Sequence, residues 1–225
     1  MQNQRAELEW RRDAVPVSTR FDDPYFSLEN GLEETRHVFL AGNDLPARFC
    51  DGFHIAELGF GTGLNFLTTL LAWQEAGVEG ALRFTSFEAF PMEAAEMARA
   101  HAAFPVLQEV SEALCAVWQP EGGVFEVLPD VHLHVVAGDA RQTLAAWNGQ
   151  ADAWFLDGFS PAKNPELWTA ELMQQVGAHT AQGGTCATYT AAGFVRRGLT
   201  EAGFEVARTA GYGRKRHMTR GRLSA

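Results

Sequence analysis

The sequence is poor in cysteine and has no long apolar run, and these absences exclude several classes of protein. Its three cysteines, Cys50, Cys115 and Cys186, are odd in number and form no C-x-x-C pair, so we expect neither a disulfide framework nor a zinc site. His132 and His134 lie two residues apart, but no third ligand is in view, so no metal is expected. No segment approaches the roughly eighteen consecutive apolar residues that span a bilayer. The N-terminal "MQNQRAELEWRRDA" also lacks the apolar core of a secretory signal, so we expect a cytoplasmic protein without membrane contact.

Positive charge is scarce overall but is concentrated near the C-terminus. The formal net charge of −10 argues, taken alone, against a nucleic-acid partner, because neutralising phosphates requires clustered cations. Residues 194–225, however, carry eight Lys or Arg against two Glu, which is a net charge of +6 and leaves −16 for the rest. The asymmetry indicates either an anionic partner at the basic end or a solvated surface that happens to be basic.

Short β-type runs alternate with helical stretches, which is the pattern of a doubly wound, Rossmann-like α/β sheet in one domain. The last two strands are joined by too few residues for a crossover helix, so we expect a mostly parallel seven-stranded sheet with an antiparallel C-terminal hairpin. Residues 1–50 are predicted to be a strand-and-loop appendage over one sheet edge or the mouth of the site, before a main domain at 51–225. Pro91, and Asn164 with Pro165, are predicted to start two helices. The predicted strands are 54–60, 82–90, 131–140, 151–159, 183–190, 204–210 and 213–221, and the predicted helices are 65–77, 91–104, 164–180 and 191–203.

A glycine-rich loop follows the first predicted core strand, in "IAELGFGTGLNFL" at residues 55–67. Alternating glycines let the backbone approach a ligand closely and adopt positive φ. The dinucleotide fingerprint is G-x-G-x-x-G, whereas here the third glycine arrives one residue early. A purely structural tight turn is the other alternative. The G-x-G-x-G form, with an acid two residues before it, resembles that of class I methyltransferases, which bind S-adenosyl-L-methionine. The cofactor-binding residues predicted here are Glu57, Gly59, Phe60, Gly61, Thr62, Gly63 and Asn65.

Two further acids follow predicted strands and suit the same nucleoside ligand. Glu88 ends the second strand, where a carboxylate can accept both ribose hydroxyls, although a surface glutamate is the alternative. Asp139 follows the third strand and suits the adenine amino group, although it would also serve as a helix cap. Open α/β sheets bind ligands at this carboxyl edge.

The loop after the fourth strand, "LDGFSPAKNPELW", indicates where a methyl acceptor binds. It resembles the acid/asparagine–proline–proline–aromatic loops of amine and base N-methyltransferases. Asp157 is predicted to orient the amine and stabilise its growing positive charge, ahead of removing a proton, because the reference pKa of aspartate is low. The alternative is that Asp157 only caps the turn. Phe159 is predicted either to stack on the acceptor base or to fill the mouth of the site.

Other residues are candidates for contact with an RNA acceptor. Tyr25 and Phe26 are suited to a base-stacking platform, although an aromatic pair in an appendage also suits packing. Lys163 is either a solvated lysine or a phosphate contact. The basic candidates near the C-terminus are Arg196, Arg197, Arg214, Lys215 and Arg216.

Taken together, the motifs resemble the methyltransferase domain of the MnmC family of tRNA wobble-uridine modification enzymes, over nearly the whole chain. The matching segments are "FDDPYFSLENGLEETRHVFLAGNDL", "ELGFGTGLNFLT", "FEAFP", "DAWFLDGFSPAKNPELWT" and "AGFVRRGLTEAGFEV...GYGRKRHM". The resemblance implies methylation of 5-aminomethyl-(2-thio)uridine, at the first anticodon position of tRNA, to 5-methylaminomethyl-(2-thio)uridine. It also implies the class I fold and S-adenosyl-L-methionine as cofactor.

The sequence departs from bifunctional MnmC because no second glycine fingerprint of a flavin-dependent oxidoreductase follows. We therefore expect a stand-alone member or a fragment, a monomer, that depends on other modification enzymes for its aminomethyl precursor. The alternatives are a methyltransferase acting on a small-molecule or protein amine and a non-catalytic nucleoside-binding module. An aminopropyl transferase is a less favoured alternative because its polyamine pocket needs more carboxylates.

Overall fold

Two sheets organise the chain, as the computed structural model shows for residues 4–11, 14–27 and 30–224. Parts of the predicted appendage, residues 1–3, 12–13 and 28–29, lie outside the described residues. A small antiparallel sheet consists of β1 (Leu8–Arg11), β2 (Val15–Ser18) and β3 (Asp23–Pro24). The strands of the large sheet are β4 (His54–Leu58), β5 (Leu82–Glu88), β6 (Gly123–Leu128), β7 (Val131–Ala137), β8 (Ala151–Leu156), β9 (Thr180–Thr188), β10 (Phe204–Ala210) and β11 (His217–Leu223).

The large sheet is mostly parallel and has the order β10-β11-β9-β8-β4-β5-β7-β6. β9, β8, β4, β5 and β7 are parallel neighbours, and β10 and β11 form the predicted antiparallel hairpin. The predicted class I architecture is thus confirmed, with one strand more than the seven expected. The added strand, β6, pairs antiparallel with β7 at the sheet edge. Its inward residues Phe125 and Val127 alternate with exposed Val124 and Glu126, a period-two pattern that the sequence analysis missed.

The central strands are buried on both faces, which explains their continuous apolar runs. Ile55 of β4 and Phe155 of β8 pack into one hydrophobic cluster, whereas Ala56 and Trp154, which are paired in register, pack into the other. Because successive side chains of a strand point to opposite faces, helices must cover both. The sheet therefore holds the carboxyl ends of β4 and β8 rigidly side by side.

Helices cover both faces of the sheet, and those at 31–35 and 108–117 were not predicted. Among the described residues, no helix is both long and apolar enough to cross a membrane. The helices are α1 (Gly31–Thr35), α2 (Leu64–Ala76), α3 (Ala94–His101), α4 (Gln108–Val117), α5 (Ala140–Thr143), α6 (Ala170–Ala178) and α7 (Gly193–Glu201).

Two helices begin later than their prolines predicted. α3 begins after Glu93, because Glu93 and Glu96 form a capping box; Pro91 lies outside the helix. The segment after Asn164 makes only a 3₁₀ turn, Pro165–Trp168, and the Asn164 side chain caps nothing. The chain is extended at Thr169, whose side chain caps α6 by accepting from the Leu172 N–H. In both places a side-chain cap, rather than proline, sets the helix start.

The segment after β3 packs into the main core. α1 continues as a π-helical turn, Arg36–Leu40, in which Val38 and Phe39 are buried. The Phe39 ring lies 5.4 Å from that of Phe155, and the Asn43 side chain donates a hydrogen bond to the carbonyl of Trp154. Residues near α1 are therefore held against β8, close to where that strand ends.

Candidate active site

A cavity of about 1410 Å³ lies at the carboxyl ends of the parallel strands. The loops after β4, β5, β7, β8 and β9 line it, together with the turn between β10 and β11 and residues of the N-terminal segment. Its volume exceeds the roughly 300–1,000 Å³ of a typical site for one small ligand. The cavity therefore has room for a cofactor and part of a second molecule, at the edge where open sheets bind ligands.

The glycine loop forms one wall of this cavity, and its glycine positions cannot carry side chains. Gly59 has φ +87°, and a Cβ placed on it would lie 2.5 Å from the carbonyl oxygen of Asp157. Gly61 has φ +55°, and its Cβ would lie 3.0 Å from the ring of Tyr25. Gly63 also has positive φ and precedes α2. The loop thus packs closely between the β8 loop and the N-terminal segment, and the backbone of its glycines borders the cavity.

A buried histidine that the sequence analysis missed supports this loop from behind. His101 of α3 contacts the carbonyl oxygen of Thr62 through Nε2 at 2.6 Å and the hydroxyl of Ser111 through Nδ1 at 2.7 Å. Because a carbonyl only accepts, Nε2 carries the proton and Nδ1 accepts from Ser111. Burial lowers the pKa of His101, which favours this neutral form. No sequence signal marks a histidine in an alanine-rich helix for such a role.

Glu88 lies at the floor of the cavity, where the sequence predicted it. Its Oε2 accepts from the Gly61 N–H at 2.8 Å and its Oε1 from the Phe90 N–H at 2.7 Å. Burial raises the pKa of Glu88, and these backbone N–H groups oppose the rise. The carboxylate is thereby fixed in orientation while it still faces the cavity.

Asp139 also lines the cavity, but its carboxylate has partners of its own. It caps α5 by accepting from the Arg141 N–H at 3.0 Å, and it forms an ion pair with the Arg141 guanidinium. These bonds to Arg141 lower the pKa of Asp139. The structure therefore shows Asp139 as a helix cap, and contact between Asp139 and adenine stays a prediction.

Glu57 lies behind the glycine loop and is not among the residues that line the cavity. It is fully buried, and its carboxylate accepts from Asn65 Nδ2 at 2.8 Å and from the Ser86 hydroxyl at 2.7 Å. Burial raises its pKa well above the usual value for glutamate, against these two hydrogen bonds. Glu57 reaches the cavity only through Asn65, which does line it.

Asp157 follows β8 directly and lines the cavity next to the glycine loop. Its Oδ2 accepts from Asn65 Nδ2 at 2.8 Å. Burial raises the pKa of Asp157 to about 7, while Asn65 and the charge of Lys215 oppose the rise and Glu34 adds to it. The low reference pKa used in the sequence argument therefore does not apply in the fold, and the group is suited to exchange a proton near neutral pH.

An aromatic wall stands beside Asp157. The Phe159 ring stacks on Phe21 with centroids 4.7 Å apart and meets Tyr25 edge-on at 5.0 Å. Phe26, which was grouped with Tyr25 in the sequence analysis, instead meets the Phe104 ring at 5.2 Å, although it also borders the cavity. Phe21 was missed, although it lies within the segment that supported the family resemblance.

Lys163 links the β8 loop to the N-terminal segment through ion pairs. Its ammonium lies 3.3 Å from a carboxylate oxygen of Asp22 and 3.6 Å from one of Asp23. The Ser160 N–H donates to the Asp23 carboxylate at 2.9 Å. These contacts hold the aromatic wall in place, so in this structure Lys163 contributes to the closure of the site.

Tyr189, which follows β9, was also missed, although the rule that selected Asp157 applies to it equally. Its hydroxyl donates to the Gly158 carbonyl at 2.6 Å. Lys215 Nζ lies 4.2 Å from the centroid of the Tyr189 ring and 2.7 Å from Glu34. Lys215 is thus directed into the mouth of the cavity, as a cation above an aromatic face.

The predicted basic residues fall into two groups. Arg214 and Lys215 line the cavity mouth on the turn between β10 and β11, and exposed Arg216 follows them. Arg196 and Arg197 lie on α7 and do not line the cavity. The structure therefore brings the turn residues to the site and leaves the α7 residues outside it.

Comparison with known proteins identifies the family. A sequence model of the family described as "S-adenosyl-L-methionine-dependent methyltransferase" matches residues 105–224. MNMC2 from Aquifex aeolicus is similar over 100% of this chain and 72% of its own chain, with 26% sequence identity and a TM-score of 0.78. This likeness confirms the expected resemblance to the MnmC methyltransferase domain.

Two further solved structures share the fold alone. Precorrin-6y C5,15-methyltransferase from Geobacter metallireducens GS-15 has 10% identity and a TM-score of 0.51, with 89% of this chain and 90% of that chain covered. N-methyltransferase NodS from Bradyrhizobium japonicum WM9 has 15% identity and a TM-score of 0.50, with 88% and 99% covered. The chain belongs to the S-adenosyl-L-methionine-dependent methyltransferases, in an MnmC-like form, and S-adenosyl-L-methionine is its cofactor.

Proposed function

We propose that this enzyme methylates the primary amine of 5-aminomethyl-(2-thio)uridine at the tRNA wobble position, giving 5-methylaminomethyl-(2-thio)uridine. The observation that carries the proposal is the Asp157 carboxylate, which lies between a bare glycine loop and an aromatic wall in one cavity. The likeness to MNMC2 from Aquifex aeolicus supports the choice of substrate.

The described residues fit the cofactor at the glycine loop. A Cβ at Gly59 would collide with the β8 loop, so the close approach of backbone that a nucleoside ligand requires is built in. In the proposed arrangement Glu88 accepts the ribose hydroxyls, Asp139 lies near the adenine, and the Gly59–Gly63 backbone with Asn65 borders the methionine part. When bound, the cofactor supplies an activated methyl group on a sulfonium.

Asp157 is the proposed catalytic residue. A primary ammonium has no lone pair, so it must lose a proton before its nitrogen attacks the methyl carbon. With a pKa of about 7, Asp157 is suited to accept that proton and pass it to solvent. Its carboxylate, ionised again, then attracts the nitrogen as it becomes cationic. The bound cofactor would supply the methyl group, with sulfur keeping the electrons of the broken S–C bond, while Asp157 holds the nitrogen that receives it. Most of the acceleration is expected from alignment and exclusion of water.

The aromatic wall and the basic turn are the proposed contacts to RNA. Phe159, backed by Phe21 and Tyr25, offers a ring beside Asp157 against which a flipped uracil can stack. Arg214 and Lys215 line one side of the cavity mouth, with Arg216 next to them, where the phosphates next to the wobble nucleotide must pass. The proposed outer contacts to phosphate are Arg196, Arg197 and Lys163, and Phe26 is a proposed part of the aromatic wall.

Methyl transfer does not create an amine, so the proposal requires other modification enzymes to supply the aminomethyl group. We further propose that the protein acts as a monomer in the cytoplasm, with residues 1–50 as an appendage to a catalytic domain at 51–225.

The test is transfer of labelled methyl from the cofactor to purified RNA. We expect incorporation into tRNA that carries the aminomethyl group and none into tRNA with an unmodified wobble uridine. D157N should lose at least about 10²-fold in rate, a typical loss for a positioned acid–base group. D130N is the matched control. Asp130 is exposed in the β6–β7 turn, at the opposite end of β7 from the cavity, and asparagine tolerates its positive φ.

Preferential methylation of a small amine or a protein would overturn the substrate assignment in favour of the first alternative. Binding of adenosylhomocysteine without transfer to any amine acceptor would favour a nucleoside-binding module.

A further inference from the structure

Asn65 bridges the fully buried carboxylate of Glu57 and the half-buried carboxylate of Asp157 at the base of the site. Its Nδ2 lies 2.8 Å from Glu57 Oε1 and 2.8 Å from Asp157 Oδ2. An amide nitrogen carries two hydrogens, so each carboxylate receives one. Asn65 is buried in the first turn of α2, with 5% of its surface exposed, and has no room to change these partners freely.

Thr35 supplies the remaining hydrogen bond of this amide, whose nitrogen faces the two carboxylates. Its hydroxyl, at the end of α1, lies 2.9 Å from Asn65 Oδ1. A carbonyl oxygen can only accept, so the Thr35 hydroxyl donates and holds Oδ1 away from the carboxylates. With the amide reversed, Oδ1 would face two carboxylate oxygens and repel both. The described partners of Asn65 are therefore complete in one orientation only.

We propose that Thr35 and Asn65 are positioning residues that hold Asp157 in the orientation required for methyl transfer. The inference rests on the proposed function in taking Asp157 as the proton acceptor. Thr35 orients the Asn65 amide, which fixes Oδ2 of Asp157 and leaves Oδ1 for the acceptor nitrogen. The segment before β4 thus contributes to the chemistry through α1, by way of the Asn65 amide.

T35V is the sharpest test because valine keeps the shape of threonine and removes only the donor. Without that donor Asn65 Oδ1 loses its hydrogen bond, so the amide is held less firmly and its hydrogen bond to Asp157 weakens. We expect kcat to fall about tenfold and affinity for adenosylhomocysteine to stay within about twofold, since misplacement by about 1 Å costs up to 10²-fold. N65A should show a larger loss of kcat, about 10²-fold.

T69V is the matched control. Thr69 lies one turn further along α2, is fully buried, and donates its hydroxyl to the backbone carbonyl of Asn65 at 2.8 Å. The same hydroxyl-to-methyl change is made there at equal depth, but the Asn65 amide keeps its partners. We expect T69V to retain kcat, and thermal melting of all variants to verify that they fold.

A second measurement needs no acceptor. Carbon NMR titration of the Asp157 carboxyl, assigned with D157N, should show a higher pKa in T35V than in wild type or T69V, because losing a donated hydrogen bond disfavours the ionised form. The other charged groups around Asp157, namely Glu57, Glu34 and Lys215, are unchanged in both variants. Tyr189, which also faces Asp157, is unchanged as well.

The two measurements separate the possible failures. An unchanged Asp157 pKa in T35V, or equal effects of T35V and T69V, would overturn the positioning role. A raised pKa in a protein that does not methylate aminomethyluridine would support the positioning of Asp157 and overturn the proposed substrate instead.

Discussion

Replacing Asp157 with asparagine should stabilise the protein above neutral pH while it removes methyl transfer. The side chain borders the cavity but is otherwise enclosed, and its pKa is raised from 3.8 to about 7 because burial disfavours the charged form. Asparagine has a similar shape and no charge to bury. Its Oδ1 can still accept from Asn65 Nδ2, so the substitution removes the charge and keeps that contact.

The magnitude follows from the pKa difference between the folded and unfolded chains. About three pKa units correspond to about 4 kcal/mol at 1.36 kcal/mol per unit. Because Asp157 borders a cavity that admits solvent, we expect about half of this, roughly 2 kcal/mol. A group whose pKa is raised on folding costs no stability below its unfolded pKa and its full amount above its folded pKa. The wild-type free energy of unfolding should therefore fall relative to D157N as the pH rises from about 4 to about 7.

Urea denaturation of both proteins between pH 5 and pH 8.5 measures this difference. We expect D157N to gain about 1–2 kcal/mol over wild type between these limits, and the difference to level off above about pH 8. D130N, which removes an exposed carboxylate, should show no comparable trend. A difference that stays flat with pH, or that favours wild type at high pH, would refute the assignment of a raised pKa to Asp157.

Three other changes test the walls of the cavity. G59A should lower the free energy of unfolding by about 2–4 kcal/mol, because Gly59 has positive φ and lies against the Asp157 carbonyl. It should also abolish adenosylhomocysteine binding measured by calorimetry, and normal binding would contradict a cofactor site at this loop. F159A should lower kcat/KM for tRNA about tenfold with unchanged cofactor affinity, and an equal loss of both affinities would assign Phe159 to the cofactor instead. The lowered pKa of His101 means that the wild type loses stability as the pH falls through about 6.5. H101Q should lack this part of the loss in urea titrations at pH 8 and pH 5.5, and an identical pH dependence would contradict a neutral buried histidine.

Three predicted acids line the cavity, and each lies at the carboxyl end of a strand. Strand periodicity and the alternation of strands and helices predict that edge, and Glu88, Asp139 and Asp157 follow from it. Gly59 and Gly61 were identifiable because close backbone approach restricts those positions to glycine.

Two of the residues that were missed, Thr35 and His101, depend on contacts between distant segments. Thr35 contacts Asn65, 30 positions along the chain, and His101 contacts the carbonyl of Thr62, 39 positions away. No local pattern encodes such pairs, because the partner is decided by how α1 and α3 pack. The same holds for the position of Glu57. Its spacing to the glycines indicated a contact with the ligand, but its carboxylate accepts from Asn65 and does not line the cavity.

Mass spectrometry of wobble nucleosides tests the central claim most directly. Hypomodified tRNA carrying the aminomethyl group is incubated with the protein and isotope-labelled S-adenosyl-L-methionine, then digested to nucleosides. The account predicts a labelled methyl on the amine of the wobble uridine with wild type and D130N, and its loss with D157N. Label on another nucleoside, or equal labelling by D157N, would contradict it.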